Sequence, residues 1–372
     1  MSRKEKKEKK NYFDYTLLFL VLFMIAFGLV MLYSTSYHYA EAHFHDATFY
    51  LRKQGIATGI GLVLMFFTTM VPYNFWKKFA IPAYLLSCGL SIAVLIVSDK
   101  INGSARWLNI GGLSFQPAEL AKIAVILFIA RYICQAPKSM GRLKNMLKTV
   151  AWLLPISAIV ALSNLSSAII IFMVGMIIIF VASPKYIHFA VPAVLAAGVG
   201  GAFIIVQGYR MDRIKYWLHP ELLEAGNQTV QGLYAIGAGG WFGKGLGESI
   251  QKMGSLPEAQ NDMIFSIVCE ELGVLGALGV ILIFGLMLWR FMVIATNSKD
   301  LFGSLLVVGI MGHIALQVIL NIAVVTNSIP NTGVTLPFIS YGGTAICFLL
   351  AEMGLALSVS RGIILEEEQV MQ

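Results

Sequence analysis

The stretch GGWFGKGLGESIQKMGSLPEAQNDMIFSIVCEELG, residues 239–273, joins a polar, glycine-rich loop directly to a long apolar span. The span is predicted over residues 263–292, and Asp262 stands immediately before it, where water meets hydrocarbon. A carboxylate is costly to desolvate in such a place, so an acid kept there usually serves a function. The junction therefore predicts a membrane protein whose candidate site lies at the mouth of a helix bundle.

The composition of the chain agrees with a membrane fold. Of its 372 residues, 58% are hydrophobic and only 13% are charged, whereas soluble domains average about 25% charged residues. The mean hydropathy is +0.76. The long spans are apolar on all sides, whereas a large soluble helical core, the disfavoured alternative, would show amphipathic stripes.

The chain is predicted to be an all-α polytopic membrane protein with about ten transmembrane helices of roughly 20 residues each. A large extracytoplasmic loop is predicted between helices 7 and 8, at residues 208–262. Residues 14–362 form the predicted transmembrane domain, and residues 1–13 and 363–372 the predicted cytoplasmic tails. The spans are predicted at residues 14–34, 55–71, 79–98, 118–135, 149–163, 166–183, 186–207, 263–292, 301–326 and 343–361.

Most of the 27 Lys and Arg residues fall at one set of span ends, starting with the basic segment at residues 3–10. Basic residues collect on the cytoplasmic side of membrane proteins, so both termini are predicted to be cytoplasmic. The net charge of +7 is therefore attributed largely to topology. Five basic residues lie instead in the predicted outer loop, where they either keep it soluble or form a surface for an anionic group such as a diphosphate: Arg210, Arg213, Lys215, Lys244 and Lys252.

The fourth span and the loop before it place charge at the membrane edge. Arg106 lies in the glycine-containing stretch NGSARWLNIGG, residues 102–112. Glu119 and Lys122 are three residues apart and share one helical face. Opposite charges inside a membrane helix should pair or contact a cavity, so Lys122 is either half of a structural ion pair or a contact for an anion.

Polar groups also mark the ninth span and the loop after it. His313, Gln317 and Asn321 recur every four residues and form one stripe, which should face either a neighbouring helix or a wet cleft. The loop NSIPNTGVTLPFISYGG, residues 327–343, is too rich in proline and glycine for a regular helix. Irregular backbone at membrane depth must be buried in protein or line a cavity, so this loop, with Ser340, is predicted to shape the site.

Two more acids, Glu270 and Glu271, follow Asp262 within the eighth span. Buried acids should be paired or protonated. The glycines of residues 239–247 do not match a nucleotide-binding phosphate loop. The sequence identifies neither a cofactor nor a set of metal ligands, and leaves open whether a divalent cation takes part.

Five segments, in order, resemble the motifs of the SEDS family, which includes the FtsW, RodA and SpoVE proteins of shape, elongation, division and sporulation. Nearly the whole chain is covered, and the last segment is more similar to the FtsW and SpoVE branch than to RodA. The segments are SARWLNIGGLSFQPAELAK from residue 104, YRMDRIKYWLHP from 209, GGWFGKGLGES from 239, LPEAQNDMIFSIVCEELG from 256 and PNTGVTLPFISYGGT from 330.

The resemblance implies a ten-helix fold and a peptidoglycan glycosyltransferase of the bacterial cytoplasmic membrane, serving division, elongation or sporulation. It implies that the enzyme polymerises lipid II into glycan strands on the outer face. The implied partners are lipid II, the growing glycan strand, membrane lipids and a class B penicillin-binding protein, but no nucleic acid. The family's catalytic acid falls on Asp262, and its conserved glutamate and lysine fall on Glu119 and Lys122. One departure is Asn164, which replaces an aspartate found in many members.

In the expected inverting reaction, Asp262 takes the proton of an acceptor sugar hydroxyl, and nearby residues bind the substrate and its departing diphosphate. Two alternatives stay open: a lipid II flippase, with Glu119, Lys122 and His313 along a headgroup path, and a non-catalytic scaffold that recruits a transpeptidase. The candidate substrate-binding residues are Arg106, Glu119, Lys122, Arg210, Arg213, Lys244, Lys252 and Ser340.

Overall fold

The computed structural model describes residues 10–98, 106–110, 113–192, 217–222, 227–253 and 256–365. Within these residues the chain is a helical bundle with two pairs of very short antiparallel strands. The strands are β1 Lys10–Asn11, paired with β4 Ile364–Leu365, and β2 Leu108–Ile110, paired with β3 Leu113–Phe115. The helices are α1 Tyr15–Phe44, α2 Phe49–Met70, α3 Tyr73–Trp76, α4 Ala80–Val97, α5 Pro117–Gln135, α6 Leu143–Ala151, α7 Leu153–Ser163, α8 Leu165–Ala182, α9 Asn227–Gly239, α10 Ile264–Thr296, α11 Leu301–Val325 and α12 Gly343–Arg361.

The prediction of an all-α polytopic membrane protein is confirmed. Among the described residues, seven helical segments are long and apolar enough to cross a membrane: Tyr15–Phe44, Tyr73–Val97, Leu143–Ser163, Leu165–Ala182, Ile264–Thr296, Leu301–Val325 and Gly343–Arg361. α2 and α5 coincide with two further predicted spans. α2 carries Arg52 and Lys53 near its start, and α5 carries three charged residues, Glu119, Lys122 and Arg131. Residues 193–207 of the span predicted at 186–207, and most of the predicted loop before α9, lie outside the described residues.

Short polar side chains fix where several helices begin. The Oδ1 atom of Asp14 accepts a hydrogen bond from Leu17 N at 2.8 Å, and Asn164 Oδ1 accepts one from Ser167 N at 3.1 Å. Such side chains satisfy N–H groups that have no partner within the helix. Asn164, which departs from the family's aspartate, therefore caps α8 as an aspartate would.

The two ends of the chain meet on one side of the bundle. β1 pairs with β4, and the buried carboxylate of Asp14 accepts hydrogen bonds from Arg290 near the end of α10, with Oδ2 and the guanidinium 2.7 Å apart. Asp262 precedes the first residue of α10, so the helix separates it from both termini. The side of the membrane on which the termini lie stays a prediction.

Close helix contacts need small residues at defined places. α2 packs along α12, and a Cβ at Gly354 of α12 would overlap the Met65 carbonyl and the Thr68 hydroxyl of α2. Transmembrane helices associate through such close packing because lipid supplies no hydrophobic drive between them. By contrast, a Cβ at Gly279 of α10 would meet nothing within 4 Å.

We expect Gly354→Ala to lower the thermal unfolding temperature of the protein in detergent, because the new methyl group pushes α2 away from α12. Overpacking of this kind costs about 1–3 kcal/mol. Gly279→Ala, with the same gain in helix propensity but no neighbour to displace, is the matched control and should unfold at or slightly above the wild-type temperature. Equal unfolding temperatures for the two variants would contradict the close packing described here.

Candidate functional site

The glycine-rich loop, residues 239–253, is held against the start of α10 by backbone hydrogen bonds. α10 has non-helical backbone at Gly273, where φ is 67°, and this break frees N–H and carbonyl groups on either side of it. The bonds, 2.9–3.2 Å long, join Lys244 N to the Glu270 carbonyl, Gly245 N to the Glu271 carbonyl, Val274 N to the Gly240 carbonyl and Leu275 N to the Trp241 carbonyl.

Two glycines make this contact between backbones sterically allowed. A Cβ at Gly243 would overlap the carbonyl of Glu271, and a Cβ at Gly273 would overlap the backbone of the loop. Both residues also have positive φ, a conformation that glycine adopts at little cost. The glycine spacing of the loop therefore serves its attachment to α10.

The side chains of the glycine-rich loop complete this attachment by pairing two buried acids. Glu270 and Glu271 are both fully buried. Lys244 Nζ lies 2.7 Å from Glu270 Oε1 and Lys252 Nζ lies 2.6 Å from Glu271 Oε1. Ser249 Oγ donates a further hydrogen bond to Glu270 Oε2 at 2.5 Å. The expectation that these acids are paired is thereby met.

Two lysines predicted as candidates for binding diphosphate, Lys244 and Lys252, are paired with carboxylates inside the protein. The side chain of Lys252 is only 2% exposed, and its ammonium group also donates to Ser34 Oγ on α1 at 3.0 Å. Its positive charge is therefore paired with Glu271 inside the protein. Lys244, 29% exposed at its side chain, is likewise committed to an internal carboxylate. From the sequence these residues were predicted to be loop cations available to an anion, because the sequence does not reveal which acidic side chains lie beside them.

Asp262 lies in the turn before α10 and is only 8% exposed. Gln228 of α9 donates from Nε2 to Asp262 Oδ1 at 3.3 Å, and Asn331 Nδ2 donates to Gln228 Oε1 at 2.8 Å. On the other side, Gly333 approaches closely enough that a Cβ there would lie 3.8 Å from Asp262 Oδ2. The carboxylate is thus enclosed between α9 and the loop after α11.

Burial raises the pKa of Asp262 to about 7, because desolvation disfavours the charged carboxylate. The negative charge of Glu258 raises this pKa further, whereas the hydrogen bond from Gln228 lowers it. A general base works best with a pKa near the working pH. Asp262 therefore has the acidity that a proton acceptor near neutral pH needs.

Residues 334 and 336–340 of the re-entrant loop, residues 328–342, are buried in protein, whereas Ser328 and Gly333 are exposed. Irregular backbone at membrane depth requires such burial. Asn321 of α11 donates from Nδ2 to the carbonyl groups of both Asp262 and Val334, each at 2.8 Å. One side chain of the predicted polar stripe therefore joins the turn of Asp262 to the re-entrant loop. Ser340 is buried, and its Oγ accepts a hydrogen bond from Leu336 N at 2.8 Å, which closes the loop on itself.

The rest of the polar stripe faces a neighbouring helix. His313 Nδ1 and Glu352 Oε2 of α12 are 2.8 Å apart, and both residues are buried. Gln317 is also buried. Of the two interpretations left open by the sequence, a contact with a neighbouring helix is the one found for His313.

Glu119 and Lys122 form a buried ion pair at the start of α5. Lys122 Nζ lies 2.8 Å from Glu119 Oε1, and the lysine is 1% exposed. The pairing prediction is met, and Lys122 presents no open surface. A small cleft beside this helix is lined by Arg106, Gln116 and Asn164, among others.

The predicted site residues thus fall into several groups. Asp262, Asn321 and the re-entrant loop with Ser340 come together, whereas Glu119 and Lys122 lie at the start of α5 and Arg106 lines the cleft beside it. Arg210, Arg213 and Lys215 lie outside the described residues. Gln228 and Asn331 were not predicted, since isolated amides in loops and on a short helix give no periodic signal in the sequence. Within the described part of the chain, no group of three or more His, Cys, Asp and Glu is placed to hold a metal ion.

Comparisons with known proteins agree on one family. A family model described as "Cell cycle protein", for FtsW, RodA and SpoVE, matches residues 15–363. The chain is 37% identical to the stage V sporulation protein E of Bacillus subtilis strain 168, over 95% of this chain and 98% of that protein. It is 35% identical to a protein of Trichlorobacter lovleyi named "Probable peptidoglycan glycosyltransferase FtsW", over 94% of each chain.

Solved structures give the same result. One chain, from work described as "Structural coordination of polymerization and crosslinking by a peptidoglycan synthase complex", has a TM-score of 0.80 and 28% identity. The match covers 94% of this chain and 98% of that chain. The rod shape determining protein RodA of Thermus thermophilus has a TM-score of 0.68 and 28% identity, over 94% of this chain and 97% of that one.

We expect Glu271→Gln to destabilise the protein strongly, because it leaves the ammonium group of Lys252 buried without its counter-charge. Removing one partner of a buried pair costs about 3–5 kcal/mol, which thermal unfolding in detergent would detect. Glu248→Gln, at an exposed position of the same loop, is the control and should leave stability unchanged. Similar losses in both variants would show that the Lys252–Glu271 pair does not hold the loop.

Proposed function

The chain belongs to the FtsW, RodA and SpoVE family of cell cycle proteins, and from that premise we propose a mechanism for its peptidoglycan glycosyltransferase activity. In this proposal the chain polymerises lipid II into glycan strands, with Asp262 as the general base. The glycosyltransferase activity itself is that of the relatives named as such. The donor, the stereochemistry and the role of each residue are the proposed part.

One observation carries the proposal: a carboxylate at the start of a membrane helix, enclosed by protein, with a pKa raised to about 7 by burial. An ordinary structural carboxylate in such a place would be paired with a cation, as Glu270 and Glu271 are. The neighbours found for Asp262 are an amide, on Gln228, and a glycine, at position 333. This environment supports an acid that changes its protonation state near neutral pH.

The proposed step is a single displacement at the anomeric carbon of the donor. The acceptor hydroxyl oxygen forms the new glycosidic bond while its proton passes to Asp262. The bond from the anomeric carbon to the phosphate oxygen breaks, and the polyprenyl diphosphate leaves with the electron pair. Because attack and departure lie on opposite faces, the configuration inverts, and one base suffices. Proton transfer of this kind contributes about 10²–10⁴-fold to a rate.

The leaving diphosphate needs positive charge nearby. Lys122, Lys244 and Lys252 are paired with internal carboxylates, so they contribute less to this role than the sequence suggested. Arg106, which lines the cleft beside α5, stays a candidate for this role. Arg210 and Arg213 stay candidates on sequence grounds alone.

The proposed partner is a class B penicillin-binding protein, a transpeptidase that crosslinks the new strands. The likeness to a chain of a complex that couples polymerization and crosslinking supports this assignment. We further propose that both termini are cytoplasmic, which places Asp262 on the outer face, as the distribution of basic residues indicates.

The flippase alternative receives less support from the described residues. Glu119, Lys122 and His313, which would line a headgroup path, are buried and paired within the bundle. Such pairing is typical of groups that fix helix packing rather than groups that exchange contacts with a passing ligand. A flippase also needs no proton acceptor just before the start of α10.

We expect purified Asp262→Asn protein to lose glycan polymerisation by at least about 10²-fold, because asparagine keeps the size of the side chain but cannot accept the proton. The assay uses liposomes containing lipid II and the cognate transpeptidase, with products separated on gels. Retained thermal stability and retained binding of lipid II would show that the variant is folded. Polymerisation at the wild-type rate would remove Asp262 as the base.

The pH dependence of the rate provides a second test, because the base must be deprotonated to act. The acidic limb of kcat/KM should lie near pH 7 in the wild type, following the pKa of Asp262. Gln228→Leu removes a hydrogen bond to the charged carboxylate, so the pKa rises and the limb should move to higher pH. Glu258→Gln removes a nearby negative charge, so the pKa falls and the limb should move to lower pH.

Gln231→Leu is the matched control for this experiment. Gln231 is one turn along α9 from Gln228 and donates to Asn227 Oδ1 instead of to Asp262. Its substitution should leave the limb where it is. Limbs that move together in all three variants, or not at all, would contradict the assignment of the limb to Asp262.

A further inference from the structure

The glycine-rich loop has an inverted distribution of polarity. Its apolar side chains point away from the protein: Trp241 is 69% exposed, Phe242 is 82% exposed and Leu246 is 55% exposed. Ile250 and Met253 continue this pattern, at 60% and 58%. Single exposed apolar residues are common on proteins, but a contiguous group marks a surface that is covered by something apolar.

Two polar side chains of the same loop, Ser249 and Lys252, point inwards, whereas Glu248 is exposed. Ser249 is fully buried and Lys252 is 4% exposed, and both contact the buried carboxylates of α10. A loop surrounded by water would place lysine outside and tryptophan inside. The loop is therefore arranged for apolar surroundings on its outer side, since a buried polar group is tolerated only when it is paired.

The exposed surface of the glycine-rich loop continues onto the lipid-facing side of α10. Leu275 N donates to the carbonyl of Trp241, so the loop aromatics lie beside the first turn after the break at Gly273. From there the helix exposes Leu275, Leu278 and Leu282 by 52%, 53% and 63%. These positions belong to a helix that is long and apolar enough to cross a membrane.

The length of α10 sets the depth of the loop. Residues 274–296 rise about 1.5 Å each and so span about 34 Å, close to the hydrocarbon thickness of about 30 Å. Trp241 and Phe242 therefore lie at one boundary of the hydrocarbon. Trp289, 59% exposed, lies near the other boundary. Tryptophan is enriched at both membrane interfaces, where its ring is apolar and its N–H is polar.

We propose that the glycine-rich loop is an interfacial membrane anchor, which inserts Trp241 and Phe242 into the leaflet on the Asp262 side. The occupant of this surface is the lipid at the boundary between headgroups and acyl chains. The ion pairs of Lys244 and Lys252 hold the loop from the protein side, and the aromatics hold it from the lipid side. Asp262 follows the loop by fewer than ten residues, so the anchor fixes its height relative to a substrate carried by a lipid.

Cysteine labelling in lipid nanodiscs tests this anchor without relying on enzymatic activity. Phe242→Cys and Glu248→Cys place thiols at two exposed positions of the same loop, one predicted in lipid and one in water. We expect a membrane-impermeant maleimide to label the Glu248→Cys protein at least about tenfold faster, because a thiol must be ionised and hydrated to react. The wild-type protein gives the background from its four native cysteines.

Tryptophan fluorescence supplies an independent measurement on the native loop residue. Lipids brominated near the top of the acyl chain should quench the wild-type protein more than Trp241→Phe, and the difference belongs to Trp241. The proposal holds if Phe242→Cys is protected and Trp241 is quenched. Equal labelling rates with no quenching of Trp241 would place the surface in water, free for a protein partner. Protection without quenching would mean that the loop folds against protein, and either result overturns the membrane anchor.

Discussion

Two carboxylates that cannot remain unpaired in apolar surroundings, Glu270 and Glu271, set the structure at this end of the bundle. Their counter-charges come from Lys244 and Lys252 of the glycine-rich loop, which lie 26 and 19 residues earlier in the chain than the glutamates they pair with. Because a buried charge without a partner is so costly, the loop has to return to the start of α10. The break at Gly273 then provides the backbone groups that complete the contact.

This arrangement explains why the acid at position 262 differs from its neighbours. The lysines of the loop are used by the two glutamates, and the neighbours found for Asp262 are amides and a glycine. Burial without a counter-charge raises its pKa to about 7. The same helix therefore carries two acids that hold the structure and, just before it, one acid suited to proton transfer. What separates the roles is the local environment, since the residue types are nearly the same.

Much of the fold followed from the pattern of residues. An all-α membrane bundle was predicted from the apolar spans and the bias of basic residues. An irregular loop near the site was predicted from its proline and glycine content, and the Glu119–Lys122 pair from its i, i+3 spacing. The contacts made by the loop lysines and by the amides near Asp262 did not follow from the sequence. Lys252 was predicted as a candidate contact for an anion because it is a basic residue of a loop. Its partner Glu271 is 19 residues away in the chain, and spacing along the chain does not reveal such a contact. Gln228 and Asn331, 103 residues apart, were missed for the same reason.

The sequence by itself determined that this is a membrane protein and that Asp262 is its candidate catalytic acid. Hydropathy acts residue by residue, and an isolated carboxylate at the edge of an apolar span is visible without any tertiary contact. Only the tertiary structure decided which charged groups are paired inside the protein, which amides contact Asp262 and which face of the glycine-rich loop is apolar. Those properties depend on distances between segments far apart in the chain, and burial and pairing energies arise only once the segments are packed together.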